Sequence, residues 1–328
     1  MVSMRVEQGN DWQKNIDVIV VTFNSAAVVE RALRSLPRDV NVIVVDNASA
    51  DQSVSIARAE GAVCISCESN LGFGRASNLG AAKSNAEFLL FLNPDAALCE
   101  DALKTMYRAA MRFPDAGIVG PRLIDAEGRT SFRHSSILHP LPGDIVKAPC
   151  ESEAVCCVPL LTGAALFCRR AAFEQIGGFD ENIFLYYEDD DLCLRLGRAG
   201  WSLICEPAAK VFHASGRSSP QTSHFVRFKS AQRLLAQSYI AQKYALPFDL
   251  AREWRKALKR LAVSIVKFDR LRFASALGRL AALTQLGDAA KEDGASRRPH
   301  SERSPSPDLY AVARHWVTVP TSELDRQT

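Results

Sequence analysis

The sequence predicts an α/β fold in which helices flank a mostly parallel, doubly wound sheet. Short, fully apolar runs rich in β-branched residues recur between residues 16 and 92, and such runs indicate strands buried on both faces. Helical patterns separate these runs, and β–α alternation of this kind is typical of a parallel sheet. The chain has 328 residues, enough for one large domain with extensions, and its 47% hydrophobic and 23% charged content is ordinary for a globular protein.

The spacing of apolar side chains predicts the individual elements. Mostly apolar runs, several of them rich in β-branched residues, predict strands at 16–21, 41–45, 62–66, 88–92, 117–124, 160–168 and 203–205. Apolar or small side chains at helical spacing predict helices at 27–36, 53–59, 76–84, 100–113, 170–176 and 225–244. Residues 126–156 contain Gly, Pro, Ser and His without a clear period, so we expect a loop or flap there.

The C-terminal third has a different character. Trp254, Leu258, Leu261, Ile265 and Phe268 are spaced by four, three, four and three residues, and lysines and arginines lie opposite them. This pattern predicts a basic amphipathic helix within residues 251–283, and two explanations remain open: packing on the domain, or contact with a membrane surface. The end of the chain is polar and rich in Pro and Ser, so we expect disorder there. The predicted divisions are an N-terminal segment (1–15), an α/β domain (16–222), a basic helical extension (223–288) and a tail (289–328).

Composition argues against several classes of function. A net charge of +3 is too small to indicate a nucleic-acid partner. The first fifteen residues carry no apolar segment of the signal-peptide kind, and no apolar run reaches the roughly 18 residues of a membrane span, so we expect a cytoplasmic protein. Several of the nine cysteines lie in strand-like runs, as reduced core thiols do. Cys64 and Cys67 would face opposite ways in a strand, which disfavours a zinc site.

Compact polar residues follow each of the first four predicted strands. In open α/β sheets ligands bind at the carboxyl ends of strands, so these positions are candidate binding residues. The candidates are Thr22, Asn24, Asp46, Asn47, Arg75, Asn78, Asn93 and Asp95. Loop composition or helix capping could explain any one group, whereas four groups on one rim favour a ligand site.

Two positions suit a metal ion. Asp95 follows Asn93 and Pro94 directly after an apolar strand, and this oxygen-rich site suits Mg²⁺ or Mn²⁺. Its alternative role is in the cap region of the next helix. His213 follows another short strand, where a histidine is either structural or a metal ligand.

Four consecutive acids stand at the head of a further predicted helix, directly after an apolar lead-in at 183–187. They are Glu188, Asp189, Asp190 and Asp191. Acids suit the positive end of a helix dipole, and a carboxylate beside an apolar wall can serve as a base. A solvated helix start is the alternative interpretation.

Taken in order, these segments resemble the family 2 glycosyltransferases over roughly residues 17–219. The matching segments are VTFN (21–24), VVDNASAD (44–51), NLGFGRASNLG (70–80), LNPDA (92–96), LTGAALFCRRAAFEQIGGFDENIFLYYEDDDLCLRLGRAGW (161–201) and VFHASGRSS (211–219). Each is weak alone, but the series is specific. Within the family the likeness is to the bacterial rhamnosyltransferase branch of cell-surface polysaccharide synthesis, in which the metal motif often reads NPD. The resemblance implies a GT-A fold, a Rossmann-like, mixed but mostly parallel sheet flanked by helices, here with a C-terminal helical extension.

The resemblance implies a role for each candidate at the strand ends. Asp46 would bind the nucleotide base, with Thr22 and Asn24 lining the same pocket. The wider nucleotide-sugar site would comprise Thr22, Asn24, Asp46, Asn47, Arg75, Asn78, Asn93 and Asp95. Asp95 would hold the Mg²⁺ or Mn²⁺ cofactor that bridges the donor diphosphate, and Asn93 stands where many family members have an Asp.

The resemblance also implies the reaction. Asp189 matches the general base, although the choice among Asp189, Asp190 and Asp191 stays open. Glu188 and Asp191 are the further catalytic candidates. His213 matches a position that binds metal or diphosphate. A single displacement would invert the anomeric centre, and the lack of a QxxRW motif favours single additions. The implied donor is a nucleotide-diphospho-sugar, dTDP-rhamnose before a UDP-sugar. The implied acceptor is a glycan or lipid-linked hydroxyl, with peripheral contact at the inner face of the plasma membrane through residues 251–283.

Three alternative functions compete with this interpretation. A nucleotidyltransferase would carry a Gly-rich, Arg- or Lys-bearing signature near the first strand, which this sequence lacks. A dinucleotide-dependent dehydrogenase is disfavoured because Ser77 occupies the third glycine position of its motif. A non-catalytic nucleotide-sugar-binding domain, or a scaffold in the same pathway, is disfavoured by Asp95, Asp189 and His213, although Asn93 keeps it open.

Overall fold

A computed structural model describes residues 12–131, 136–139, 154–213 and 222–295 of the chain. The chain divides into two compact units. Among the described residues, those of Met1–Cys67, Arg75–Asp180 and Asp189–Ser218 form the sheet unit, and those of Glu68–Gly74, Glu181–Glu188 and Ser219–Thr328 form the helical unit. The predicted loop or flap at 126–156 lies largely outside the described residues.

The elements follow the predicted alternation of strands and helices. The strands are β1 (Ile16–Thr22), β2 (Asn41–Asp46), β3 (Val63–Ser66), β4 (Phe88–Leu92), β5 (Ala96–Leu98), β6 (Ala116–Ile124), β7 (Thr130–Ser131), β8 (Cys156–Cys157), β9 (Ala165–Arg169) and β10 (Ser202–His213). The helices are α1 (Val29–Arg34), α2 (Ser53–Ala59), α3 (Phe73–Ala82), α4 (Ala102–Arg112), α5 (Arg170–Gln175), α6 (Glu188–Arg198), α7 (Ser223–Lys243), α8 (Leu250–Val266) and α9 (Arg270–Ala295).

The described strands form one mixed, mostly parallel sheet. Its order is β3-β2-β1-β4-β9-β6-β10-β5, with β7 beside β6 and β8 beside β10. Strands β1 to β4 are parallel to their neighbours within that group, whereas β9 runs antiparallel to both β4 and β6. The fold class predicted from the sequence is confirmed, because parallel β–α units account for the first half of the sheet.

The core explains why the central strands are so apolar. Every residue of β1 and β4 is buried, as expected for strands with both faces covered. Phe88 on β4 stacks on Phe167 of β9, with ring centroids 5.2 Å apart. Gly80 lets α3 lie close to the sheet, because a Cβ there would come within 2.6 Å of the Ile19 side chain.

Several strands differ from the predictions. The short strand β5 was not predicted, since three residues show no period. The last strand, predicted at 203–205, extends to His213, because a register shift between Glu206 and Lys210 lets pairing with β6 resume. The strand predicted at 160–168 begins only at Ala165. His213 is therefore the last residue of a long strand rather than a residue that follows a short one.

Helices α7 to α9 dominate the helical unit. Leu234, Leu235, Ala257, Ala282 and Leu283 form its buried cluster. Thr222 and Asp249 cap α7 and α8 by accepting backbone N–H groups of Phe225 and Arg252.

A buried ion pair supports the packing of α8 against α9. Glu253 accepts hydrogen bonds from Arg279 on α9 and from Lys256, the latter at 2.6 Å. Burial alone would raise the pKa of the Glu253 carboxyl, but these two cations outweigh burial and lower it. Helix α9 continues to Ala295, past the predicted end of the extension at residue 288. None of the helices in the described part of the chain is long and apolar enough to cross a membrane.

Candidate active site

Asp46, the last residue of β2, ties together the loops that follow β1 and β2. Its Oδ1 accepts hydrogen bonds from the Thr22 hydroxyl at 2.9 Å and from the Ser49 hydroxyl at 2.5 Å. Its Oδ2 accepts the backbone N–H of Ser49 at 2.9 Å. The residue is 3% exposed, and these bonds compensate for the lost hydration of its carboxylate. The structure thus brings Thr22 and Asp46 together, and their role toward a nucleotide stays a prediction.

Asn24 joins the same pair of loops from a left-handed backbone conformation, φ +51°. Its N–H donates to the Ser49 hydroxyl at 2.9 Å, and its Oδ1 accepts the N–H of Ala50 at 2.8 Å. Asp51 supports the start of α2 by accepting the N–H of Ser53 at 2.9 Å. Asp51 therefore serves the helix, and Asp46 organises the loop at the strand end.

Asn47, Arg75 and Asn78 lie in three different environments. Asn47 is buried, and its N–H donates to the Thr22 carbonyl at 2.8 Å, which extends the pairing of β1 with β2. Arg75 is half-buried on α3. The Asn78 amide bridges to Phe179, accepting its N–H and donating to its carbonyl, both at 2.9 Å. Because both ends of the amide are used, the geometry favours a structural role for Asn78, and its predicted contact with the donor is untested.

The turn after β4 places Asp95 beside His213. The Asn93 carbonyl accepts the N–H of Ala96 at 3.0 Å, which closes a tight turn around Asp95. His213 pairs with Ala96 in the antiparallel register of β5 and β10. The His213 Nε2 lies 3.5 Å from Asp95 Oδ1, and the Asp95 side chain is 2% exposed.

This pair of side chains fits a divalent cation that takes its other ligands from elsewhere. Within residues 12–131, 136–139, 154–213 and 222–295, no group of three or more His, Cys, Asp or Glu side chains is gathered for a metal. Mg²⁺ sites commonly use one or two carboxylates together with substrate phosphates and water. Asp95 and His213 therefore suit a cation that is shared with a bound diphosphate.

The acids at the start of α6 have unequal surroundings. Asp189 is 8% exposed, and its two carboxylate oxygens accept the backbone N–H groups of Gly163 and Asp190, each at 2.9 Å. The Asp191 side chain is wholly buried and accepts the Nε–H of Arg195 at 2.7 Å. Arg195 also donates to the carbonyl of Ile176. Asp191 is thus held in a buried ion pair, which favours a structural role over its predicted catalytic one.

One short segment before β9 connects the Asn93–Ala96 turn, which carries Asp95, with Asp189. The Gly163 N–H holds the Asp189 carboxylate, and the carbonyl of the next residue, Ala164, accepts the N–H of Asn93 at 3.0 Å. Neither Gly163 nor Ser49 was among the predicted site residues. Both stand inside the family-like segments of the sequence, which is the signal that could have identified them.

Glu188 begins α6 and is half-buried; it follows two strained residues in the helical unit. Tyr186 and Tyr187 have φ of +74° and +67°, a region that costs residues other than glycine about 1–2 kcal/mol each. The Arg233 guanidinium lies 4.5 Å from the centroid of the Tyr186 ring. Burial raises the pKa of the Tyr186 hydroxyl, so it stays protonated. Such strain is characteristic of functional segments.

The fold and the site together define a class of protein. A mixed, mostly parallel sheet with carboxylates at the ends of β2 and β4 and an acid-headed helix is the architecture of the GT-A nucleotide-sugar transferases. The family model described as glycosyl transferase family 2 matches residues 17–177.

Two curated relatives identify the family to which the chain belongs. The chain is 32% identical over 241 residues to the N-acetylglucosaminyl-diphospho-decaprenol L-rhamnosyltransferase of Mycobacterium tuberculosis. The match covers 62% of this chain and 77% of that protein. It is 26% identical over 249 residues to rhamnosyltransferase WbbL of Escherichia coli (strain K12), which covers 68% of this chain and 93% of the relative. The chain belongs to glycosyltransferase family 2 and is a glycosyltransferase, as the sequence predicted.

Solved structures support the fold. The mannosyltransferase PcManGT from Pyrobaculum calidifontis, in complex with GDP-Man and Mn²⁺, matches with a TM-score of 0.51 at 18% identity, over 92% of this chain and 84% of that one. GalNAc-T7 with UDP, GalNAc and Mn²⁺ matches with a TM-score of 0.50 at 17% identity, over 77% of this chain and 57% of that one. These similarities confirm the GT-A fold.

Proposed function

We propose that the protein is an inverting, non-processive glycosyltransferase of cell-surface polysaccharide synthesis. It moves a sugar, with rhamnose favoured, from a nucleoside diphosphate to a hydroxyl of a glycan or lipid-linked acceptor. The observation that carries the proposal is the Gly163–Ala164 segment, which holds both the Asp189 carboxylate and the turn that presents Asp95. A base and a diphosphate site are the two parts that a single displacement needs.

The donor would bind along the ends of the parallel strands. Asp46, supported by Thr22, would accept hydrogen bonds from the base, and Asn24 and Asn47 would border the same pocket. Arg75 would approach the diphosphate. The names of the two rhamnosyltransferase relatives support rhamnose as the transferred sugar. We therefore favour dTDP-rhamnose as the donor, with a UDP-sugar as the alternative.

Asp95 and His213 would hold Mg²⁺ or Mn²⁺. Such a cation, when bound, would neutralise the negative charge that develops on the departing diphosphate. Burial of Asp95 keeps its carboxylate fixed in position, and β10 fixes His213 beside it. Asn93 contributes through its backbone, which closes the turn, and its predicted side-chain contact with the donor belongs to the same proposal.

Asp189 would act as the general base. It would take the proton from the acceptor hydroxyl while that oxygen bonds to the anomeric carbon and the bond from that carbon to the diphosphate oxygen breaks. Two backbone N–H groups orient the carboxylate before the acceptor arrives. Glu188 is the remaining catalytic candidate, because Asp191 is committed to Arg195.

Release of nucleoside diphosphate tests the donor half of this proposal. The purified protein is incubated with a panel of nucleotide sugars and Mg²⁺ or Mn²⁺, and slow donor hydrolysis is measured. We expect release from one donor that chelation abolishes, and Asp95→Asn should lower it by about a hundredfold. Glu174→Gln, at a side chain 62% exposed on α5, is the control and should leave the rate unchanged. Binding of the donor without turnover, also when acceptor is present, would instead favour a non-catalytic domain.

A further inference from the structure

The turn between α8 and α9 carries an exposed apolar surface, which we call the α8–α9 corner. It consists of Val263, Ile265, Val266, Phe268, Leu271 and Phe273. Phe268 is 92% exposed and Val266 is 77% exposed. Contiguous apolar side chains in water mark interaction surfaces in soluble proteins.

Helix α8 does have a packed face, so the exposure of these side chains is not that of an isolated helix. Helix α8 buries a different face, Glu253, Ala257 and Ser264, and Trp254 packs at its N-terminal half. The predicted apolar stripe is therefore divided: Trp254 belongs to the packed cluster, while the C-terminal half of the stripe ends at exposed Phe268. Packing within the helical unit therefore does not account for the exposed side chains at the C-terminal end of the stripe, Ile265 and Phe268.

The backbone at Phe268 is unfavourable for a phenylalanine. Its φ is +49°, its N–H donates to the Ile265 carbonyl at 3.2 Å, and the N–H of Asp269 donates to the Ser264 carbonyl at 3.0 Å. This is the Schellman end of a helix, in which glycine normally occupies the left-handed position. A large aromatic side chain there is strained and buries almost no surface, so stability of the fold does not explain it.

The charges around the corner complement an anionic surface. Between residues 255 and 273 the sequence has seven Lys or Arg residues and one acid, Asp269. Lys267 and Arg270 flank Phe268 and are exposed. The one acid, Asp269, pairs with Arg272 at 3.1 Å. The other six cations of the segment have no acid within it to offset them, so its net charge is strongly positive.

We propose that the α8–α9 corner docks on an anionic lipid bilayer, with Phe268 as the inserted side chain and the neighbouring cations on the headgroups. Apolar insertion combined with basic residues is the usual physical basis of peripheral binding. The inference rests on the proposed function for one point only, that the acceptor is lipid-linked and is therefore carried by a bilayer.

Vesicle binding by the full chain tests the proposal. Vesicles of phosphatidylglycerol and phosphatidylcholine should bind the wild-type protein and release it as salt rises, whereas pure phosphatidylcholine vesicles should bind it weakly. Phe268→Gly should weaken binding by about tenfold or more, because the inserted ring is lost. The same variant should raise the melting temperature, since glycine relieves the positive φ, so a loss of binding cannot be ascribed to misfolding.

Ala245→Gly is the matched control. Ala245 is exposed and ends α7 with the same geometry, at φ +52°. Its N–H donates to the Gln242 carbonyl, and the N–H of Leu246 donates to the Ala241 carbonyl. This variant should gain stability and keep full vesicle binding. Unchanged binding by Phe268→Gly would overturn the proposal. The proposal would also be overturned if the wild-type protein were a dimer and Phe268→Gly were a monomer, because the corner would then be an interface between two copies of the chain. Donor hydrolysis without vesicles is measured in parallel, so that failure of docking and failure of the proposed chemistry are distinguishable.

Discussion

At the scale of single residues, identical side chains two positions apart on α6 have different environments. Two backbone N–H groups hold the carboxylate of Asp189, which is 8% exposed, whereas Arg195 neutralises the wholly buried Asp191 side chain. The sequence predicted an acid cluster at a helix start but not this division. Successive residues on a helix point about 100° apart, and only the packing of Gly163 and Arg195 decides which acid faces which way.

Asp191→Asn should destabilise the sheet unit, because Arg195 would keep a largely buried charge whose partner is gone. Breaking a buried pair costs about 3–5 kcal/mol, and we expect the lower end because the Arg195 side chain is 19% exposed. Urea unfolding measures the difference. Asp125→Asn removes a carboxylate from an exposed partner, Arg129, and should leave the midpoint nearly unchanged. If both variants unfold at the wild-type midpoint, the ion pair does not hold α6 as described.

At the scale of elements, burial on both faces made the central strands predictable. Strands β1, β2 and β4 agree with the predicted runs within a residue. Short or interrupted elements were not predictable: β5 has three residues, and the pairing of β10 with β6 shifts register between Glu206 and Lys210. The packed face of α8 was also missed, because the Arg279 partner that draws Glu253 inward lies on another helix.

Gly80→Ala should push α3 away from the sheet. A Cβ there would come within 2.6 Å of Ile19 and 3.1 Å of Val45, a clash that should cost about 1–3 kcal/mol of unfolding free energy despite the better helix propensity of alanine. Gly197→Ala on α6 is the control, since its nearest neighbour, Leu203, is 4.0 Å away. The control should be neutral or stabilise by up to about 1 kcal/mol in thermal unfolding. Equal effects of the two substitutions would refute the close approach of α3.

At the scale of the whole molecule, sheet topology brings distant parts of the sequence to one site. The parallel strands could be predicted to end in a common rim, and the family-like segments indicated the fold. The junction of the Asn93 turn with Ala164, and of Gly163 with Asp189, depends on the antiparallel pairing of β4 with β9. No local pattern encodes that pairing, because its partners are far apart in the chain. The roles of the site residues stay predictions until transfer is measured.

Transfer of labelled rhamnose from dTDP-rhamnose to a lipid-linked N-acetylglucosamine diphosphate acceptor, by the wild-type protein and by Asp189→Asn, tests the central claim most directly. Asparagine keeps the shape of the side chain but accepts no proton, so we expect donor binding to persist and transfer to fall by about 10²–10⁴-fold. Near-normal transfer by Asp189→Asn would contradict the assignment of Asp189 as the base that activates the acceptor.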